Sequence, residues 1–320
     1  MERALDVLEL LSSRTFLSGE SVAKTLGVTR AAVWRHVACL KNVGVEIRAV
    51  SGKGYKLSND FEPLNSCRIK EELLKLGCEG YDAVDVVKVI DSTNAVLSRG
   101  YCDKKLVALF AEYQLGGRGR RGDKWVCPPG SGVCFSLSRW FEQPQTSFSS
   151  LGLVVGIAVV KALESLGIKG LKLKWPNDVV FHDAKLAGIL IELRTEVSGP
   201  SFVVIGIGIN TCLGTVARDT IDKKVVDLKD VSGKHLSRNL LASSLLSKLE
   251  RYLKIFEQRG FEPFISDWRN LDSLMGRTIR IDLPSKSFVG KAEGVDKTGA
   301  LLLRSNGVLK QFLSGHIAEL

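Results

Sequence analysis

A chain of 320 residues is too long for one small core and calls for two or three domains. Its 45% hydrophobic and 25% charged residues are the balance of a soluble globular protein, which excludes a disordered or fibrous chain. A net charge of +10 favours anionic ligands or nucleic acid as partners and says nothing about fold.

Leu5, Leu8 and Leu11 recur at helical spacing and predict an amphipathic helix over residues 2–12. The start of the chain lacks the basic stretch and long apolar core of an export signal. Ser18 opens a second helix that Gly27 breaks after Leu26. Thr29 caps a third, which runs to about Val43 with Val33, Val37 and Leu40 as its apolar stripe. From Val45 to Leu57 two alternating strands flank a turn at Ser51–Gly54, a β-hairpin. Residues 58–65 are polar, contain Pro63 and read as a linker.

Residues 66–270 alternate strands and helices. The predicted strands are Val84–Ile90, Leu106–Glu112, Val133–Ser138, Leu171–Trp175, Ala187–Leu193 and Phe202–Ile209. The predicted helices are Thr93–Ser98, Ser149–Leu166 and Leu236–Glu257, so a sheet is expected with helices against it. The longest apolar run, Leu151–Val160, stops at Lys161 and is too short to span a bilayer. From Thr278 onward, short β-rich segments alternate with turns at Asp282–Ser285, Asp296–Gly299 and Ser305–Gly307, which suggests a small barrel. The expected fold is therefore α+β in three domains, at 1–60, 66–270 and 271–320.

The seven cysteines, Cys39, Cys67, Cys78, Cys102, Cys127, Cys134 and Cys212, are odd in number, scattered and free of any Cys-x-x-Cys. Buried free thiols in a reducing cytoplasm fit better than a disulfide framework or a zinc site. His36, His182, His235 and His316 lie far apart, so no metal is assigned to protein ligands.

The first three helices and the hairpin have the order of a winged helix-turn-helix, whose second helix of the motif enters the major groove. Arg14, Lys24, Arg30, Arg35, Lys41, Arg48, Lys53 and Lys56 stand against only Glu20 and Glu46 over that stretch. Thr29, Arg30, Trp34, Arg35 and Lys41 are the candidate DNA contacts on the reading helix, with Lys53 and Lys56 on the hairpin for flanking phosphates. The competing reading is a three-helix unit that binds protein, with Trp34 in its core.

The most informative stretch is Ala111–Trp125. Its Gly117-x-Gly119-x-x-Gly122 formally matches a dinucleotide fingerprint, yet Pro128 and Pro129 forbid the helix such a fingerprint must open. Glycines alternating with Arg118, Arg120 and Arg121 instead describe a mobile cationic loop able to wrap an anion. A solvated charge run or a nucleic-acid patch is the bland alternative.

Three further segments supply context. Asp91–Asn94 joins a strand to a helix and presents hydroxyls and amides to a polar ligand. Lys172–Asp178 places charged and amide groups before a turn. Lys185 opens a strand in which Gly188 permits close approach, and Gly206 and Gly208 leave a side-chain-sized gap in another.

In this order the motifs Gly117–Gly122, Lys174–Asp178 and Lys185–Leu190 closely resemble those of bifunctional biotin–protein ligases, whose prokaryotic member is the biotin operon repressor. The resemblance runs from about Leu5 to His316. It implies a ligase catalytic domain related to class II aminoacyl-tRNA synthetases, and an SH3-like C-terminal barrel. It also implies a two-step reaction: biotin and ATP give biotinyl-5′-AMP, and a carrier lysine then takes the biotin. By the same resemblance Lys185 touches both the carboxylate and the α-phosphate, and Ser92, Thr93, Asn94, Gln114, Arg118, Gly119 and Arg120 hold biotin with Gly188, Gly206 and Gly208. Arg121, Trp125, Lys174, Asn177 and Asn210 fall near the nucleotide, Asp178 orients the incoming amine, and magnesium shares the phosphate charge. The implied partners are the biotin carboxyl carrier protein of acetyl-CoA carboxylase, operator DNA and a second copy of the chain. Lipoate ligation is the enzymatic alternative, though that family lacks the glycine–arginine loop. A repressor that only senses biotin is the non-enzymatic alternative.

Overall fold

The computed structural model describes residues 1–100, 106–142, 148–195 and 200–318, and Cys102 lies outside them. Helices α1 (Glu2–Leu10), α2 (Gly19–Leu26) and α3 (Arg30–Asn42) close around Leu5, Leu8, Val22, Val33, Val37 and Leu40. The helix starts are capped as the sequence predicts. Ser18 Oγ accepts from the Ser21 N–H at 3.0 Å, and Thr29 Oγ1 from that of Ala32 at 3.2 Å. Gly27 sits at φ 63°, the left-handed conformation that ends α2 and lets α3 begin three residues later. Strands β1 (Ile47–Val50) and β2 (Gly54–Leu57) pair antiparallel as the wing, with Val50 opposite Gly54.

The central region runs α4 (Ser66–Lys75), β3 (Ala83–Ile90), α5 (Thr93–Arg99), β4 (Leu106–Gln114), β5 (Gly132–Phe141), α6 (Leu151–Ser165), β6 (Lys172–Lys174), β7 (Asp178–Phe181), β8 (Ala184–Thr195), β9 (Ser201–Asn210), α7 (Thr215–Asp219), α8 (Leu228–Ser232), α9 (Arg238–Arg259) and α10 (Ile265–Leu271). Its seven strands are ordered β3-β4-β5-β9-β8-β7-β6, and only β3 and β4 run parallel. Side chains along β4 alternate between two cores. Ala108 and Phe110 face α6 and α9, whereas Val107 and Leu109 join Leu97 of α5 and Phe202 on the other face. Phe110 stacks on Phe135 of β5 at 4.7 Å between centroids. The sequence reading missed β7. Its turn into β8 is built from His182 and Asp183 at φ 47° and 63°, so no glycine marks it.

Strands β10 (Thr278–Asp282), β11 (Ser287–Val295), β12 (Leu301–Ser305), β13 (Val308–Phe312) and β14 (His316–Ala318) form an antiparallel sheet ordered β13-β12-β11-β10-β14. Among the described residues β13 and β14 do not pair, so the expected barrel is an open SH3-like sheet rather than a closed one. Trp175 Nε1 donates to the Gly299 carbonyl at 3.2 Å and ties this sheet to the central one.

The polar segment 58–65 is not a loose linker. Arg238, 4% exposed, donates to both Glu112 carboxylate oxygens at 2.9 and 3.0 Å, to the Glu62 carbonyl at 2.8 Å and twice to the Gly132 carbonyl. Glu62 in turn accepts from the Arg238 N–H at 2.6 Å and from Asn239 Nδ2 at 2.9 Å. Two further contacts hold the first domain down. Lys88 reaches Asp6 at 2.7 Å and Glu9 at 2.9 Å, and Glu46 Oε1 accepts from Thr215 N–H and Oγ1 at 2.9 and 2.8 Å. No helix of the described residues is long and apolar enough to cross a membrane.

Candidate functional site

A cleft of about 990 Å³ opens at the end of the central sheet where β6–β9 meet the glycine–arginine loop. Ser92, Thr93, Asn94, Gln114, Arg118, Gly119, Arg120, Arg121, Trp125, Lys174, Asn177, Asp178, Lys185, Gly188, Gly206, Gly208 and Asn210 all line it. Segments more than a hundred residues apart thus deliver every expected ligand contact to one cavity.

On one wall the start of α5 is fixed by a buried polar chain. Ser92 caps the helix, and the Thr93 N–H donates to Gln114 Oε1 at 2.9 Å. Thr93 Oγ1 lies 2.6 Å from Ser136 Oγ, which donates to Asn94 Oδ1. Asn94 Nδ2 donates to Glu192 at 2.9 Å, and the same carboxylate pairs with Arg118 at 3.4 Å. Donors and acceptors are thereby oriented before any ligand arrives. Ser136 and Glu192 were not singled out from the sequence. A serine and a glutamate on ordinary strands carry no local signal, and only the fold brings them to residue 94.

The two strand glycines do something other than leave open room. A Cβ on Gly206 would lie 2.3 Å from Asn94 Oδ1, and one on Gly208 2.3 Å from Trp125 Cε2. The gap expected for a ligand is filled by these two side chains, which the glycines seat against the sheet. Gly188 plays a similar part, its absent Cβ falling 3.0 Å from Trp125 and 3.1 Å from Lys185 Cε.

The cationic loop is folded as a hairpin. The Gly119 N–H donates to the Asp123 carbonyl at 2.7 Å and the Trp125 N–H to that of Gly117 at 3.0 Å. Arg121 takes φ 55° at its tip. Arg120 turns inward and donates to Asn177 Oδ1 at 3.2 Å, while Asn177 Nδ2 donates to the Ile189 carbonyl at 2.8 Å. Burial and the neighbouring Arg121 lower the Arg120 pKa, and Asp178 opposes the shift. Such a half-buried cation gains by meeting an anion.

Lys185 stands at the centre. Its Nζ lies 2.7 Å from Asp178 Oδ1 as an ion pair outside hydrogen-bond geometry, and 5.6 Å from the Trp125 ring centroid. Its backbone is pinned by the segment after β9. The Lys185 N–H donates to the Lys224 carbonyl at 2.8 Å, and Asn210 Nδ2 donates to the Val226 carbonyl at 3.1 Å. Thr220–Val225 of that segment also line the cleft, and Lys223 bonds Asp123 across its mouth, holding the Asp123 carboxyl below its usual range. His316 of β14 completes the lining from the C-terminal sheet. Sequence reasoning missed this segment and His316. The doublet Lys223-Lys224 was the one available cue.

Thr29, Arg30, Trp34, Arg35 and Lys41 are exposed along α3, as is Lys53 at the tip of the wing, whereas Lys56 is half-buried. Trp34 is 63% exposed and Val33 and Val37 are buried, so Trp34 belongs to the outer face and not to the core. The helix contains no acidic residue.

Residues 86–210 match the biotin/lipoate A/B protein ligase family, residues 3–56 a helix-turn-helix domain and residues 274–318 the biotin protein ligase C-terminal domain. The chain is 38% identical over 315 residues to the bifunctional ligase/repressor BirA of Escherichia coli, covering 98% of this chain and 96% of that one. The chain belongs to the bifunctional biotin ligase and repressor family. The corresponding Bacillus subtilis protein is 30% identical, over 98% and 97% of the two chains. A biotin protein ligase from Aquifex aeolicus, solved in complex with biotin and ATP, superposes with a TM-score of 0.66 at 28% identity, covering 74% of this chain and 98% of that one. Membership in this ligase and repressor family joins an ATP-dependent biotin ligase to a helix-turn-helix domain, the pairing that the motifs implied.

Proposed function

We propose that this chain biotinylates a lysine of the biotin carboxyl carrier protein of acetyl-CoA carboxylase, that its cleft makes biotinyl-5′-AMP on the way, and that residues 1–60 read the operator of a biotin operon. The observation that carries the site assignment is the convergence of Lys185, Arg118 and Arg120 on one cavity beside the ordered Asn94–Thr93–Gln114 wall. In the first step a biotin carboxylate oxygen bonds the α-phosphorus of ATP while the bond to the bridging oxygen breaks, releasing pyrophosphate. Two anions must meet, so a cation is needed between them, and Lys185, which lines the cleft beside Asp178, serves as that cation.

In the second step the carrier amine bonds the acyl carbon, AMP leaves, and the amine gives up a proton. Asp178, beside Lys185, is placed to orient that amine. Ser92, Thr93, Asn94, Gln114, Arg118 and Gly119 supply the biotin contacts, with Gly188, Gly206 and Gly208 as seats for Lys185, Asn94 and Trp125. Arg121, Trp125, Lys174, Asn177 and Asn210 face the nucleotide, and Arg120 closes the loop over the adenylate and excludes water.

Magnesium suits the cleft as an ion carried on the triphosphate, since it ordinarily takes one or two carboxylates together with substrate phosphates. Asp178 and Asp183 line the cleft but are paired with Lys185 and Arg277, so magnesium would ride on the phosphates themselves and share their charge. Residues 1–60, 66–270 and 271–320 act as the DNA-reading, catalytic and C-terminal units of a cytoplasmic homodimer that assembles when the adenylate is bound. The test is incorporation of labelled biotin into an isolated carrier domain. The expected result is one lysine-linked biotin per carrier, with one pyrophosphate and one AMP released. Labelling that does not need ATP, or label taken from lipoate in preference, would refute the reading.

A further inference from the structure

We propose that Trp34 reads thymine through its 5-methyl group in the major groove, so that this chain discriminates A·T pairs by apolar contact as well as by charge. The proposal rests on the reading of residues 1–60 as a DNA-binding unit. At 100° per residue, the buried stripe of α3 is Val33, Val37 and Leu40. Arg35 and Ala31 then lie opposite that stripe, and Trp34 stands on the exposed flank, between Arg30 and Lys41 on one side and Ala38 and Ala31 on the other. Trp34 is the most exposed of the large apolar side chains in residues 1–60. An aromatic ring left in water is a sizeable unburied apolar area, so a partner surface gains by covering it. The identity of that partner follows from what surrounds the ring. Arg30 and Arg35 flank it, no carboxylate lies anywhere on the helix, and small Ala31 stands one turn before it. A protein partner with an acidic surface would match the charge, but α3 is the second helix of a helix-turn-helix, the element that enters a groove. A duplex groove matches both, since phosphates face the arginines at its rim and the helix N-terminal half meets base edges. On the groove floor, the thymine 5-methyl is the apolar feature that an indole can cover.

The probe is the duplex that the full-length protein, supplied with biotin and ATP, enriches from a randomised pool. Each thymine is then replaced by deoxyuridine, which deletes one methyl and keeps every hydrogen-bonding group. Wild-type affinity should fall about fourfold at each contacted thymine. In Trp34→Ala the thymine and uracil duplexes should bind equally, with the salt dependence kept because Arg30, Arg35 and Lys41 remain. Trp34→Phe should retain the discrimination, and the thermal midpoint of both variants shows whether the fold is kept. Wild-type binding that is indifferent to uracil at every position overturns the proposal, as does discrimination that survives in Trp34→Ala. A pool from which no duplex is enriched overturns the DNA-binding reading itself and is a separate result.

Discussion

Replacing Lys185 with methionine keeps an alkyl chain to lie against Trp125 but removes the charge. Two losses follow, and they are separable. In the resting protein the Lys185 ammonium is 2.7 Å from Asp178 Oδ1, an atom shielded from solvent, and each side chain is about a quarter exposed. Deleting one partner strands the other, at a cost of about 1–3 kcal/mol of stability. That is too little to unfold a domain of this size. In the reaction the loss is larger, because negative charge collects where the carboxylate meets the α-phosphate and Lys185 is the cation proposed to sit between them. Removing one such preorganised group costs about 3 kcal/mol or more, roughly a hundredfold or more in rate. Biotin-dependent pyrophosphate release measures the rate, and thermal unfolding measures the fold. Asp178→Asn separates the roles further, since Lys185 stays charged: adenylation should continue while transfer to the carrier slows. Pyrophosphate release by Lys185→Met within about threefold of wild type would refute the placement of Lys185 between the two anions.

Arg120→Gly removes the bond to Asn177 and should still allow adenylate formation while letting it escape; labelling of bystander proteins reports the leak, and wild-type selectivity would contradict it. Arg238→Met leaves the buried Glu112 carboxylate without its cation, at a cost of about 3–5 kcal/mol and a fall of about 10 °C in melting temperature, and a fall below about 3 °C would refute the clamp. Burial and the Glu250 carboxylate push the Cys78 thiol up to about 12, so at pH 8 an alkylating reagent should modify exposed Cys67 and spare Cys78, as peptide mapping would show. Sedimentation with no ligand, with biotin, and with biotin plus ATP should show a shift to dimer only in the last.

What the sequence made legible was local chemistry. Ser18, Gly27 and Thr29 announce caps and a turn because those functions are performed within three residues, and Pro128 and Pro129 exclude a nucleotide-fold helix after the glycine–arginine loop. Other features depend on distant pairs. Glu192 meets Asn94 across 98 positions, Arg238 meets Glu112 across 126, and Glu46 meets Thr215 across 169. None of these residues is unusual in its own segment, so a polar stretch was read as a linker that the fold in fact clamps. Gly206 and Gly208 were seen correctly as places where a side chain is missing. What fills the space, Asn94 and Trp125, could be learned only from the packing.

The central claim is that one adenylate serves both halves of the chain, and the most direct measurement follows operator occupancy while the adenylate is consumed. The full-length protein is held on an enriched operator duplex with biotin and ATP, and unmodified carrier domain is added in limited amount. Occupancy should fall as carrier lysines draw off the adenylate and recover once every carrier is biotinylated. Occupancy that is unchanged by biotin, by ATP and by carrier would contradict the account.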